Sequence, residues 1–149
     1  MNLTPHFTLE ELVYSDTAIA NGFDNTPTQE VLVRLTQLAL VMEAVRSLCG
    51  NNAVAISSGY RSPPVNAAVG GASNSAHLYG CACDFTIPAF GSPIDICKQL
   101  EPHLQNLRVD QLIHENISWV HLGLANPPWD GPRHQCLTIN GGSTVNGFV

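Results

Sequence analysis

The chain has 149 residues, 44% of them hydrophobic and 12% charged, with a formal net charge of −6. These values exclude disordered, coiled-coil and fibrous classes and favour one globular domain spanning residues 1–149. No cluster of basic residues is present that could neutralise phosphates, so nucleic acid is not expected as a partner. No apolar run approaches the roughly 18 residues of a membrane span, and the first residues do not resemble an export signal.

Five cysteines are present, an odd number that cannot pair completely. No two of them have the C-x-x-C spacing of a zinc ribbon or a redox dithiol. We therefore expect a reducing compartment at synthesis. The residues are Cys49, Cys81, Cys83, Cys97 and Cys136.

The first predicted helix begins with a capping box in which Thr8 is the N-cap and Glu11 its partner. Phe7 and Leu12 have the spacing of a hydrophobic staple across this helix start. We expect the helix to continue to about Gly22, since glycine commonly follows a helix end.

A second helix is predicted to begin at Thr26, with Pro27 in its first turn and Gln29 completing another capping box. Gly50 is its expected stop. The predicted buried face consists of apolar residues at helical spacing, namely Val31, Leu35, Leu38, Met42 and Val45.

The middle of the chain has the pattern of two strands separated by a loop. Residues 54–60 alternate in polarity and end at a Pro-Pro pair, and residues 81–87 are largely apolar. The stretch 66–74 is rich in glycine, alanine, serine and asparagine, which predicts a loop. Ser92 and Pro93 then open a helix that Pro102 is expected to kink or divide.

The last third contains two strand-like runs, residues 109–115 and 118–124, so close together that a hairpin is the natural connection. Residues 135–139 predict a final strand, and the tail after Gly141-Gly142 is expected to be loosely held. Helices come first and strands mostly later, without regular βαβ alternation. We therefore predict an α+β fold with an antiparallel sheet packed by helices, its core over about residues 7–124.

Three polar residues stand out within these strand and loop segments: His77, Asp84 and His121. Separately, they could be a satisfied surface pair and a lone core histidine. Together they match a catalytic zinc site, which uses three histidine or carboxylate ligands and leaves a fourth position open. Gly80 lies between the first two and permits a tight turn that could direct both side chains to one ion.

The sequence resembles a known family, the zinc D-alanyl-D-alanine carboxypeptidases and phage L-alanyl-D-glutamate endopeptidases, whose fold is akin to the Hedgehog signalling domain. The resemblance is carried by Ser-x-His-x6-Asp at Ser75, His77 and Asp84, and by Trp-x-His at Trp119 and His121. It includes the Ser-Gly-Tyr-Arg-Ser-Pro segment at 58–63 and the Phe-Thr-Leu-Glu-Glu-Leu opening at 7–12, and it extends over about residues 7–124.

The resemblance implies that His77, Asp84 and His121 bind Zn²⁺ and that Glu115 is the general base. Arg61 would hold a substrate carboxylate or the developing oxyanion, a task suited to its planar fork of donors. The alternative for Arg61 is a structural arginine that supports its turn. Further substrate contacts are expected from Ser75, Tyr60 and Trp119, although aromatic residues beside a sheet are often core.

Several relatives place the base three residues before the last zinc histidine, where this chain has Ser118; others place it six residues before, where this chain has Glu115. A hairpin loop with an odd number of residues would bring Glu115 and His121 to the same face of the sheet, and a two-residue loop would not. We therefore predict an odd register or a Glu115 that leaves the ladder.

Neighbouring residues of ligand type are assigned structural roles. Cys81 and Cys83 flank Asp84 and could be imagined as ligands, but free cysteine commonly behaves as a small core residue. His114 adjoins Glu115 but points to the opposite face of a regular strand, so it is expected to be structural or exposed.

The resemblance implies a zinc-dependent peptidase that cleaves peptidoglycan stem peptides, at D-Ala-D-Ala or L-Ala-D-Glu bonds. With no export signal visible, we expect a phage or prophage lytic enzyme made in the host cytoplasm. It would act on the cell wall after release or be carried in a virion, alongside other virion or lysis-cassette proteins. The alternative is a non-catalytic, zinc-stabilised virion or tail component, since a fold and its metal site can serve binding instead.

Overall fold

The computed structural model describes residues 1–125 and 131–149, and it combines a small two-stranded sheet, a six-stranded sheet and helices. The helices are α1 (Leu9–Val13), α2 (Asp16–Asn21), α3 (Gln29–Leu48), α4 (Pro63–Ala68), α5 (Pro93–Leu100) and α6 (Leu104–Leu107), with 3-10 turns at Ala76–Tyr79 and Glu101–His103. The strands are β1 (Asn2–Thr4), β2 (Phe7–Thr8), β3 (Ala55–Ser58), β4 (Ala82–Thr86), β5 (Val109–Glu115), β6 (Trp119–Leu124), β7 (Gln135–Asn140) and β8 (Ser143–Asn146). Within the described ranges, no helix has both the length and the apolar character needed to cross a membrane.

The large sheet has the order β3-β4-β6-β5-β7-β8, which confirms the α+β class. One pair departs from the predicted antiparallel arrangement, because β7 runs parallel to β5. The end of β6 at Leu124 pairs with Val109 at the start of β5, and His134 donates its backbone N–H to Val109 O. The chain therefore enters β7 beside the start of β5, and the two strands run in the same direction.

The core lies between one face of the large sheet and the helices. All five residues of the predicted apolar stripe on α3 are buried, which confirms the helical pattern: Val31, Leu35, Leu38, Met42 and Val45. Phe85, Leu112 and Leu122 are buried in the same cluster. Because strand side chains alternate, Asp84 and His121 lie on the opposite face of the sheet.

Both predicted helix starts can be compared with the structure. The Thr8–Glu11 capping box is present, but the helix ends at Val13, and Ser15 caps a separate helix, α2. The second helix does not begin at Thr26: its N-cap is Thr28, whose hydroxyl accepts from the backbone of Val31. The backbone N–H of Thr26 instead donates to Asp24 at 2.9 Å, so the contact that a capping box needs is already taken.

Two further predictions need correction. Residues 63–68 form α4, with two prolines in the first turn, so the helix includes the start of the predicted 66–74 loop. The C-terminal tail is not loose: residues 141–142 form the turn into β8, and Val149 N donates to Thr138 Oγ1. Pro102 does divide its helix, since α5 and α6 are separated by the 3-10 turn that contains it. The chain beyond the predicted core, residues 125–149, includes residues 126–130, which lie outside the described residues.

Candidate metal centre

Three elements bring His77, Asp84 and His121 together. Asp84 on β4 and His121 on β6 are direct cross-strand partners, and His77 is supplied by the 3-10 turn that precedes β4. Gly80 ends this turn with a left-handed φ of 72°, which directs the chain into the strand. One ligand atom from each side chain lies within 4.8 Å of the others.

Hydrogen bonds orient the ligand atoms of the two histidines. His77 Nδ1 donates to the carbonyl oxygen of Gly59 at 2.7 Å. Since a carbonyl only accepts, Nε2 carries the lone pair, and this atom lies 3.4 Å from Asp84 Oδ1. His121 presents Nδ1 instead, 2.9 Å from the same carboxylate oxygen. The carbonyl group of Gly59 thus fixes the tautomer of His77 that metal binding through Nε2 requires.

The donor set and its spacing fit zinc. Ligands about 2.0–2.2 Å from a tetrahedral zinc lie roughly 3.3–3.6 Å from one another. The His77–Asp84 separation of 3.4 Å is within this range, and the His121–Asp84 separation of 2.9 Å is shorter. Two imidazoles and one carboxylate provide three ligands and leave a fourth position, as in catalytic sites. His77 is 2% exposed and Asp84 5%, so a bound ion would be largely shielded on the protein side.

The charge states of these groups also suit metal binding. Burial lowers the pKa of His77, which favours the neutral imidazole. Burial of Asp84 acts to raise its pKa, but the adjacent His121 and His77 rings outweigh burial and hold the pKa below its ordinary value. The centre therefore presents an ionised carboxylate beside neutral imidazole, the forms in which both side chains coordinate metals.

Glu115 lies on the same face of the sheet as His121. Three residues, 116–118, connect β5 to β6, and the register pairs Glu115 with Trp119 and Ile113 with His121. The predicted odd loop is therefore confirmed. Trp119 Nε1 donates to Glu115 Oε2 at 3.2 Å. Burial, followed by the charge of Asp84, raises the pKa of Glu115, which suits a group that must both accept and release a proton.

The Arg61 guanidinium is held on the other side of the centre by three acceptors. Nε donates to Ser58 Oγ at 3.2 Å, Nη1 to Asn66 Oδ1 at 3.4 Å and Nη2 to Asp84 Oδ2 at 3.5 Å. Asp84 thus directs Oδ1 to the two histidines and Oδ2 to the Arg61 guanidinium. Arg61 is both anchored in its turn and close to the ligand set. Its position is therefore compatible with both alternatives from the sequence, a structural arginine and one that contacts the substrate.

The three ligand-type residues, Glu115 and Arg61 line a cleft of about 480 Å³. Arg61, Ser75 and Trp119 are among its lining residues, as expected for substrate contacts. Tyr60 is not: it is 6% exposed and packs in the hydrophobic core. The backbone N–H of Tyr60 donates to Leu12 O while that of Arg61 donates to His77 O, so the two neighbours face opposite sides of the segment.

The neighbouring residues of ligand type occupy structural positions. Cys81 and Cys83 are buried free thiols, and Cys83 is part of the core cluster. His114 is 4% exposed on the face opposite Glu115, where its Nδ1 donates to Val149 O at 3.3 Å. These placements agree with the predictions made from the sequence.

Comparison with known proteins identifies the family. The sequence profile of the peptidase M15 family matches residues 5–123, which include every proposed ligand, Arg61 and Glu115. The chain belongs to the peptidase M15 family. This confirms the resemblance found in the sequence, over nearly the same residues.

One curated relative of this M15 member is the zinc D-Ala-D-Ala carboxypeptidase of Streptomyces albus G, with 34% identity over 79 residues. The alignment covers 53% of this chain and 30% of the relative. The chain thus spans less than a third of that protein's length.

Sequence reasoning missed three polar residues in or beside the cleft of this M15 member. Asn66 contacts Arg61, and Arg133 binds the buried Asp110 through its Nε and Nη2 at 3.0 and 2.7 Å. Both Asp110 and Arg133 line the cleft. A buried aspartate in a strand is a signal that a cation lies opposite. The sequence did not indicate which cation, because Arg133 is 23 residues away and outside the matched segment.

Proposed function

We propose that the protein is a zinc-dependent peptidase that cleaves an amide bond in peptidoglycan stem peptides. The observation that carries the proposal is the floor of one cleft, where His77, Asp84 and His121 lie beside the carboxylate of Glu115 and the guanidinium of Arg61. Membership of the peptidase M15 family and similarity to a zinc D-Ala-D-Ala carboxypeptidase support the same reaction class.

His77 Nε2, an Asp84 oxygen and His121 Nδ1 would hold the zinc. When bound there, zinc supplies a Lewis acid that polarises the scissile carbonyl and makes water more acidic. Glu115 accepts the proton of the attacking water and passes it to the leaving amine. Trp119 holds Glu115 Oε2 by a hydrogen bond, which fixes the carboxylate relative to the cleft.

Arg61 stabilises negative charge on the substrate. Of its five N–H groups, three have acceptors among the described residues. Arg61 also lines the cleft, so we infer that its remaining N–H groups bind the substrate there. A fixed guanidinium beside the scissile bond needs little reorganisation when the carbonyl oxygen becomes negative.

Two bonds are candidates: D-Ala-D-Ala, as in the name of the relative, and L-Ala-D-Glu. The test is digestion of purified peptidoglycan and synthetic stem peptides by the zinc-loaded protein, with mass analysis of the products. Loss of the C-terminal D-alanine would assign the carboxypeptidase reaction. Products that end in L-alanine, together with peptides that begin with D-glutamate, would assign the endopeptidase reaction. A zinc-loaded protein that leaves every stem peptide intact would instead favour the zinc-stabilised virion or tail component.

We further propose a lytic role in a phage or prophage, with synthesis in the host cytoplasm and action on the cell wall after release or from a virion. The motivation is the resemblance of the sequence to phage L-alanyl-D-glutamate endopeptidases. Fractionation of lysates and of purified particles, probed with an antibody to this chain, tests the proposal. Detection only in the periplasm of uninfected, growing cells would overturn it.

A further inference from the structure

Asn66 is a buried polar side chain between the Arg61 guanidinium and a wall of the cleft. It lies in α4 and is 4% exposed. Its Oδ1 accepts from Arg61 Nη1 at 3.4 Å, and its Nδ2 donates to the carbonyl oxygen of Ala72 at 2.9 Å. One flat amide therefore joins Arg61 to the segment 70–76, whose Gly70, Gly71 and Ala72 line the cleft.

The wall packs directly on this amide. A Cβ placed on Gly71 would lie 2.1 Å from Asn66 Oδ1 and 2.8 Å from its Cγ. Non-bonded atoms do not approach one another this closely, so only glycine allows this contact. The backbone N–H of Gly71 also donates to Asn66 O at 2.9 Å. Main chain and side chain of Asn66 thus both hold the same short stretch of wall.

Ala72 O connects the wall to the ligand-bearing turn. Besides the Asn66 amide, it accepts from the backbone N–H of Ser75 at 3.0 Å. Ser75 is the cap of the 3-10 turn that carries His77. The path from Arg61 through Asn66 to residue 72 and the turn is a continuous series of hydrogen bonds.

We propose that Asn66 is a positioning residue that sets the distance between the Arg61 guanidinium and the cleft wall of residues 70–76, and so fixes the substrate between them. This inference rests on the proposed function for its kinetic consequence. The position requires an amide because one end must accept from a cation and the other must donate to a carbonyl. A carboxylate provides only the first contact, and an aliphatic side chain provides neither.

The discriminating variant is Asn66→Asp, which keeps the acceptor for Arg61 and loses the donor to Ala72 O. We expect KM for a stem peptide to rise about tenfold, the equivalent of one lost hydrogen bond, with kcat within about threefold and zinc content unchanged. Gly71→Ala displaces the same wall and is expected to raise KM similarly. Because both changes act on one contact, the double variant should be no worse than the more severe single variant.

The matched control is Asn52→Asp, which removes another amide-to-carbonyl hydrogen bond, Asn52 Nδ2 to Cys49 O at 3.0 Å, outside the cleft. It is expected to change thermal stability only. An unchanged KM in both Asn66→Asp and Gly71→Ala, with zinc retained, would overturn the proposal. So would an equal rise in KM in the Asn52→Asp control.

Hydrogen–deuterium exchange gives a second readout that does not depend on activity. Amides in residues 70–76 should exchange about tenfold faster in Asn66→Asp and in Gly71→Ala than in the unmodified protein or in Asn52→Asp. Exchange in 70–76 that is unaltered in both variants refutes the positioning role, even if the protein cleaves no stem peptide. If the unmodified protein is inert but exchange accelerates as expected, the proposed function fails and the positioning role stands.

Discussion

Replacement of Glu115 by glutamine isolates the proton transfer proposed for its carboxylate. The amide has nearly the same shape, and its carbonyl oxygen can keep the 3.2 Å hydrogen bond from Trp119 Nε1. The amide cannot accept a proton near neutral pH. A positioned general base contributes about 10²–10⁴-fold, or roughly 3–5 kcal/mol of barrier, so kcat should fall at least about 10²-fold. Zinc content and Tm should stay near those of the unmodified protein, since no ligand is removed.

The assay is steady-state cleavage of a synthetic stem peptide, followed by chromatography and mass analysis, with zinc measured on the same samples. Ser118→Ala is the matched control: Ser118 lies in the same hairpin, and its hydroxyl donates to Asn116 O at 2.9 Å. It should retain kcat within about threefold, because it changes the loop without removing an acid or base. A Glu115→Gln rate within threefold of the unmodified protein would refute the assignment of the base.

Four further outcomes are expected. His77→Ala should lose the bound zinc while Arg61→Ala retains it, as measured by metal analysis of the purified proteins; equal metal content in both would contradict the ligand assignment. Arg61→Ala should lower kcat/KM by about 10²-fold, and unchanged kinetics would leave it only a structural role. Gly59→Ala should destabilise the fold by about 2 kcal/mol or more, seen in urea unfolding, because its Cβ would lie 2.2 Å from a backbone carbonyl oxygen of α1. Burial of Asp110 acts to raise its pKa, but hydrogen bonds from Arg133 outweigh burial and lower the pKa. The ion pair therefore stabilises the fold above the unfolded-state pKa of aspartate, and this stabilisation is lost as the pH falls below about 4. In Asp110→Asn, the free energy of unfolding should depend less on pH in this acidic range.

The sequence predicted the elements whose signals are local. The Thr8–Glu11 box acts over three residues, and the apolar stripe of α3 repeats with the helical period, so both were readable without the fold. The face occupied by Glu115 was predicted from the role that the resemblance implies for it, and the three-residue loop 116–118 confirms that register. The second helix start was misplaced because Asp24 competes for the same backbone N–H, a choice between two local contacts of similar strength.

The sequence by itself therefore determined the identity of the ligand-type residues, their order along the chain and the family to which they belong. Only the tertiary structure decided that Tyr60 enters the core while Arg61 enters the cleft, since each binds a different distant backbone carbonyl. The tertiary structure also decided the direction of β7. This strand runs parallel to β5 because the chain enters β7 beside the start of β5. Contacts such as Asn66 with Ala72 and Arg133 with Asp110 depend on which groups remain unpaired after the sheet has formed. That outcome is a property of the whole packing, and no periodicity in the sequence encodes it.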